Sequence, residues 1–351
     1  MTFRYIGSKA RLAEGLVQHL GKPSATETRF VDLFAGTGAV SALASAQGWP
    51  VWINDSLHSA VAMSVSRVAT PQQVRFAGLG GYQSAIEQLN AAAPANGFLW
   101  REYTPASLNH CGVERRYFTE ANGARLDGMR EQVATWLSAG NVSQLESTVL
   151  VADLLSAANR AANIAGTYGC FLSKWQTQAL APVRVTCRDF SAGSGVVEST
   201  VSDVFNLELR ETDVAYLDPP YTKRQYASYY HILETLTLHD EPVVEGVCGL
   251  RPWKDKASPF CYKTRAFNAL VDLIEGLASR RVLLSYSSEG HVQMDALVNR
   301  LSLTGEVALT PLLAVGRYRP NVVASSNGEA VTEYLLAYTK HSITALKVAN
   351  G

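Results

Sequence analysis

The sequence predicts an α/β fold, a doubly wound parallel sheet interrupted by a long, mainly helical insertion. Short apolar bursts end abruptly in polar or turn residues, as buried parallel strands do where they reach the edge of a sheet. One burst runs directly into a Gly-x-Gly turn and an alanine-rich helical stretch, the strand–turn–helix unit from which such sheets are wound. Residues 57–195 are too many for a single crossover and carry helical patterns of their own.

Taken in chain order, residues 30–34 (Phe-Val-Asp-Leu-Phe) form the first strand and end in Gly36-Thr37-Gly38; residues 39–47 continue as a helix. Residues 51–53 form the second strand and end in Asn54-Asp55. Helical periodicity marks residues 126–137 and 145–162 inside the insertion, and the Ser-Ala-Gly-Ser-Gly run at 191–195 marks the return to the sheet. The expected division is therefore 1–70 with 191–351 as one domain and 71–190 as the inserted region. Residues 214–217 form the third strand and end in Asp218-Pro219-Pro220. Phe267, Leu270, Ile274 and Leu277 fall at helical spacing before a fourth strand at 281–286. Apolar runs at 309–315 and 333–338 flank a segment with an Asn327-Gly328 turn and read as a closing antiparallel pair.

Composition bounds the function. The chain has 351 residues, 31 basic and 31 acidic, 47% apolar and 18% charged. That length suggests roughly two domains, or one domain with a long insertion. The apolar fraction excludes disorder, collagen-like repeats and a coiled-coil rod. No apolar run approaches the ~20 residues of a membrane span, and residues 1–20 do not read as a signal peptide. The five cysteines (Cys111, Cys170, Cys187, Cys248, Cys261) are scattered without zinc or redox spacing, so a reduced, cytoplasmic protein without a metal is expected. His110-Cys111 lacks the further ligands that a metal would need.

Two motifs carry chemistry. Gly36 and Gly38 let the backbone turn tightly and approach a ligand just before a helix N-terminus. A nicotinamide fingerprint would want Gly or Ala where Ser41 stands. Asp55, at the end of the second strand, can accept hydrogen bonds from ribose hydroxyls; as a helix cap it would serve structure alone. Asp218-Pro219-Pro220-Tyr221 is the more informative. Its prolines remove two backbone donors and fix φ, which suits an exocyclic amine on a flat ring. Asp218 and the Pro219 carbonyl accept the two N–H bonds while Tyr221 stacks on the ring face. A rigid turn after a strand is the bland alternative.

With these motifs in hand, the sequence resembles the Dam-like DNA adenine N6-methyltransferases, most nearly those of FokI-type restriction systems. Arg4-Tyr5-Ile6-Gly7-Ser8-Lys9 resembles the family's N-terminal cofactor motif, which often carries Trp at the Tyr5 position and Gly at the Ser8 position. The 30–40 segment is similar to its S-adenosylmethionine loop, Ile53-Asn54-Asp55 to its ribose-binding acid, Asp203-Val204-Phe205 to its adenine-contacting acid, and 218–221 to its catalytic motif. The likeness continues through residues 115–120, 167–172, 224–226 and 230–235, covering most of the chain.

The resemblance implies a Rossmann-like S-adenosylmethionine-dependent fold in which 71–190 recognises the target. It places Tyr5, Gly7, Ser8, Lys9, Asp32, Phe34, Ala35, Gly36, Gly38, Asn54, Asp55, Asp203, Val204 and Asp218 at the cofactor. The expected reaction is methyl transfer to an adenine flipped out of double-stranded DNA. Basic and aromatic residues near the motif suggest DNA contacts at Lys223, Arg224, Tyr226, Arg251, Lys254, Lys256 and Arg317, and Tyr229, Tyr230 and His231 either join them or pack in a core. RNA adenine, a protein glutamine amide, or a non-catalytic DNA-binding subunit of a defence system remain as alternatives, and a cognate restriction system is a possible partner.

Overall fold

The structure is a computed structural model that describes residues 13–312 and 332–341. Tyr5, Gly7, Ser8, Lys9, Arg317 and the Asn327-Gly328 turn lie outside the described residues. The chain divides into two compact units.

Among the described residues, the sheet unit comprises residues 13–56, 193–225, 257–312 and 332–341. Its strands are β1 (Arg29–Asp32), β2 (Val51–Asp55), β3 (Val196–Val201), β4 (Asp213–Leu217), β5 (Arg281–Ser287), β6 (Gly305–Leu312) and β7 (Glu333–Lys340). They form one seven-stranded sheet in the order β3-β2-β1-β4-β5-β7-β6. Strands β1 to β5 pair in parallel, while β7 lies antiparallel between β5 and β6. This is the α/β architecture expected, with the closing antiparallel pair in place. Strand β1 lies between β2 and β4, so the winding reverses there, and the carboxyl ends of β1 and β4 flank the switch point where open α/β sheets bind ligands.

The β1 and β4 strands are buried because apolar side chains cover both faces; Phe30, Val31, Val214, Ala215 and Leu217 are fully inaccessible. Register pairs Asp32 with Tyr216, so the loops after both strands leave the sheet at one level. At the opposite end, Arg29 binds Asp213 through two hydrogen bonds of 3.0 and 2.9 Å, fixing β1 beside β4. Edge strand β3 escaped the sequence reading because Val-Val-Glu-Ser-Thr-Val is mostly exposed and gives no apolar burst.

The helical unit comprises, among the described residues, Leu57–Ala192 and Tyr226–Lys256. Its longest helices are Glu120–Ser138 and Gln144–Ala161. The first starts six residues earlier than its apolar pattern because the Thr119 side chain caps the Asn122 N–H. The second opens on a capping box, Ser143 with Glu146. Leu126, Met129, Val133, Leu150, Leu154 and Ala158 fill the core between them.

The compact units do not coincide with the expected division into 1–70 with 191–351 and 71–190: the helical unit starts at Leu57 and also takes in Tyr226–Lys256. Ile232, Leu233 and Leu236 explain the second difference: they form an apolar stripe buried in that unit's core. Nor are the cysteines all reduced. Cys170 and Cys248, 78 residues apart, form a disulfide with Cα atoms 5.1 Å apart, whereas Cys111, Cys187 and Cys261 are free. Their sequence spacing carries no signal; the folding of two distant loops onto one core brings them together.

Candidate active site

The site is built within the sheet unit, at the carboxyl ends of β1, β2 and β4. After Asp32 the chain makes a turn closed by the Gly38 N–H donating to the Ala35 carbonyl at 2.7 Å. Gly36 and Gly38 have φ of +53° and +72°, values that a residue with a Cβ adopts only with strain. Gly38 then stands at the N-cap of the helix Ala39–Ala46 and, having no side chain, supplies no side-chain acceptor to its first N–H groups.

The loop is braced from β2. Asp55 Oδ2 accepts the Gly36 N–H at 3.0 Å. Asn54 is fully buried: its amide donates to the Leu33 and Ser202 carbonyls and accepts from Thr200. The resemblance places Asn54 at the cofactor; in the structure its amide ties β1, β2 and the β3 end together.

Asp32 is also buried. Its Oδ2 accepts from Ser41 at 2.6 Å, and its Oδ1 has no hydrogen-bond partner among the described residues. Burial, opposed by the Ser41 bond and reinforced by the Asp218 and Asp55 charges, raises its pKa to about 7. Ser41, the residue that departs from a nicotinamide fingerprint, thus holds this carboxyl.

An aromatic wall stands beside the loop. Phe34 meets the edge of Phe260 at 5.5 Å between centroids, and Phe205 stacks on Phe260 at 5.9 Å. Asp203 holds that turn by accepting the Phe205 N–H at 3.1 Å, while Val204 packs into the sheet-unit core. Phe205 is 46% exposed, so a ring face is left for a ligand. Neither Phe205 nor Phe260 is placed at the cofactor by the sequence, where Phe205 stands next to a motif acid and Phe260 is interleaved with the basic residues of 251–265.

Strand β4 delivers Asp218-Pro219-Pro220-Tyr221. Leu217 is fully buried, Pro219 is buried, and Asp218, Pro220 and Tyr221 are half-buried, so the corner emerges at the sheet surface. Tyr221 is held twice. Its carbonyl accepts the His291 N–H at 3.0 Å, and its ring packs edge-on against Tyr286 of β5 at 5.7 Å. The Tyr286 hydroxyl in turn accepts the Val292 N–H at 3.1 Å. Tyr286 and His291 were also missed, since neither stands near the motif in sequence. Beyond the corner, Lys223 and Arg224 are exposed. Gln225 anchors the end of this segment by exchanging two hydrogen bonds with Ser258.

Of the other residues chosen for nucleic acid, Tyr226, Arg251, Lys254 and Lys256 belong to the helical unit. Arg251 forms a two-bond ion pair with Asp240, and Lys256 reaches Glu234 at 3.1 Å, so both charges already have carboxylate partners. Lys254 is exposed, and Tyr226 packs at the margin of the helical core. Tyr230 and His231 resolve as core residues: both are buried, and the His231 Nε2 meets the Tyr168 carbonyl at 2.9 Å. Burial holds His231 far below an ordinary imidazole, at about 3.

The arrangement can take a nucleoside-bearing ligand. A glycine turn with no Cβ in the way, carboxylates at 55 and 203 and exposed aromatic faces together match ribose hydroxyls and a purine. The rigid acidic corner at 218–221 can take a second flat ring bearing an amine.

A sequence model of the D12 class N6 adenine-specific DNA methyltransferases matches residues 5–299. The chain is 33% identical over 294 residues to the type II methyltransferase M.FokI of Planomicrobium okeanokoites, covering 82% of this chain and 45% of that protein. It is 30% identical over 290 residues to the type II methyltransferase M.NlaIII of Neisseria lactamica, covering 82% and 84%. Identity to the type II methyltransferase M.CviAII of Paramecium bursaria Chlorella virus 1 is 29% over 337 residues, covering 94% and 96%. The chain spans about half the length of M.FokI and of the first curated relatives it matches. No solved structure matches it significantly.

Proposed function

The chain belongs to the D12 class of N6 adenine-specific DNA methyltransferases, and from that premise we propose that it methylates the exocyclic amine of an adenine flipped out of duplex DNA. S-adenosylmethionine, when bound, supplies an electrophilic sulfonium methyl. In this reading Asp55 and Asp203 bind the cofactor's hydroxyl and amine groups, the 36–38 turn admits it closely, and Phe34, Phe205 and Phe260 cover its ring.

The observation that carries the reading is the doubly anchored 218–221 corner one strand away from the glycine loop. Asp218 and the Pro219 carbonyl accept both amine hydrogens, aiming the nitrogen lone pair and stabilising the positive charge that grows on it. Tyr221 stacks on the base and offsets part of the few kcal/mol that flipping costs. No residue needs to become covalently attached, so alignment supplies most of the acceleration. The residues of the helical unit then contact the rest of the duplex, and a sequence-specific enzyme of this kind would be paired with a nuclease of the same recognition sequence, in the cytoplasm where the DNA lies.

The test is transfer of a radiolabelled methyl group to duplex DNA, RNA and protein in parallel, with the methylated positions then sequenced. N6-methyladenine at one duplex sequence supports the reading; label on RNA or on a glutamine amide overturns the substrate.

A further inference from the structure

We propose that the helical unit carries a second, unassigned contact surface, in which Arg67, Arg160, Arg184 and Arg188 bind phosphates of the duplex; the proposal rests on the DNA reading above. Arg67 lies in the last turn of the helix His58–Val68, and Arg160 in the last turn of Gln144–Ala161. Arg184 and Arg188 lie on the segment that passes both helix ends. Arg160 Nη2 donates to the Arg184 carbonyl at 3.0 Å. Arg188 reaches Asp153 Oδ1 through Nε at 2.6 Å and Nη2 at 2.5 Å, and its Nη1 donates to Ser66 Oγ at 2.5 Å, directly before Arg67.

The charges do not balance. Asp153 is buried, and its other oxygen already accepts from the Tyr82 hydroxyl at 2.9 Å. One carboxylate therefore faces the guanidiniums of Arg188 and Arg160, with Arg67 beside Arg188 and the exposed Arg184 next along the segment. Asp189, on the same segment, is exposed, and among the described residues neither it, Arg67 nor Arg184 forms an ion pair. Arg67 is exposed and lies beside the like charge of Arg188, while Arg160 is half-buried and only partly relieved by Asp153. Arginine cannot shed its proton to escape such a position. An incoming anion relieves it, and the guanidinium fork matches phosphate oxygens in pairs. Because the excess is distributed over three chain segments, the repeated charges of a nucleic-acid backbone fit it better than one ion. Arg251 and Lys256 are by contrast already paired, which is why charge read from sequence pointed elsewhere.

The test uses the whole protein with Arg67→Gln and Arg184→Gln combined, neither of which disrupts the Arg188–Asp153 pair. Duplex binding is followed by fluorescence anisotropy across a salt series. Each lost phosphate contact should reduce the slope of log affinity against log salt by about 0.9, so the double variant should lose about 2 in slope and about tenfold in affinity. Arg67→Lys with Arg184→Lys should keep the slope. At saturating DNA, kcat should be unchanged while KM for DNA rises. An unchanged slope overturns the proposal, as does stabilisation of the wild type by inorganic phosphate with no change in duplex binding between variants. A loss of slope in a protein that transfers no methyl group to any duplex leaves this surface standing and removes the catalytic reading instead.

Discussion

Replacing Glu234 with Gln removes a buried charge on which the start of one helix depends. The Glu234 side chain is only 3% exposed. Its two oxygens accept from the His58 and Ser59 N–H groups at 3.0 Å each, from His58 Nδ1 and Ser59 Oγ at 2.9 Å each, and from Lys256 Nζ at 3.1 Å. They thereby cap the helix His58–Val68 from outside. Burial pushes the carboxyl up, but the His58 bond, the Lys256 charge and the backbone donors outweigh it and bring the pKa from 4.5 down to about 2. The fall from 4.5 to about 2, at ~1.4 kcal/mol per tenfold change in proton affinity, gives about 3 kcal/mol of stability held by the ionised group.

A lowered carboxylate pKa means that this stability is present above about pH 4.5 and is lost as pH falls toward 2. Urea unfolding of wild type and Glu234→Gln should thus differ by about 3 kcal/mol at pH 7 and by about 1 kcal/mol at pH 3. The amide keeps one acceptor oxygen, so the variant should still fold. A difference below about 1 kcal/mol at pH 7, or one that does not shrink in acid, would refute the assignment of that energy to the ionised carboxylate.

Asp32 should behave with the opposite sign. Because burial raises its pKa to about 7, its contribution is complete in acid and is lost as pH rises from about 4 through 7. Asp32→Asn, which keeps an acceptor for Ser41, should therefore gain stability relative to wild type by up to about 4 kcal/mol between about pH 4 and pH 8 in thermal melts, an upper bound from the size of the shift. A gap between the two proteins that stays constant across that range would contradict this. Reducing the Cys170–Cys248 bond releases a loop closed across 78 residues, and chain entropy sets the loss at about 4 kcal/mol. Thiol titration of the unreduced, denatured protein should find three free thiols of the five; five would show that the bond does not form.

The sheet and the candidate site were legible to different degrees, for physical reasons. Strands β1, β2, β4 and β5 are buried on both faces, so their apolar runs stand out at once, and the glycine turn and Asp-Pro-Pro-Tyr lie at their ends. Strand β3 is an exposed edge and left no such run. Asp218 and Gly36 could be chosen because their chemistry depends on the local backbone. Phe205, Phe260, Tyr286 and His291 could not, because each works by touching a residue distant in sequence. That Arg251 and Lys256 have Asp240 and Glu234 as partners is not visible in sequence, because those carboxylates lie 11 and 22 residues away. The grouping of Tyr226–Lys256 with the helical unit was hidden in the same way: Ile232, Leu233 and Leu236 read as any buried helix until their neighbours are known.

Single-turnover methyl transfer by Asp218→Ala, measured beside cofactor affinity, bears most directly on the proposed chemistry. Loss of the acceptor for the adenine amine should abolish transfer while leaving the donor's Kd within about tenfold, the equivalent of ~1.4 kcal/mol. Transfer at the wild-type rate by that variant would mean that the acidic corner does not hold the reacting nitrogen.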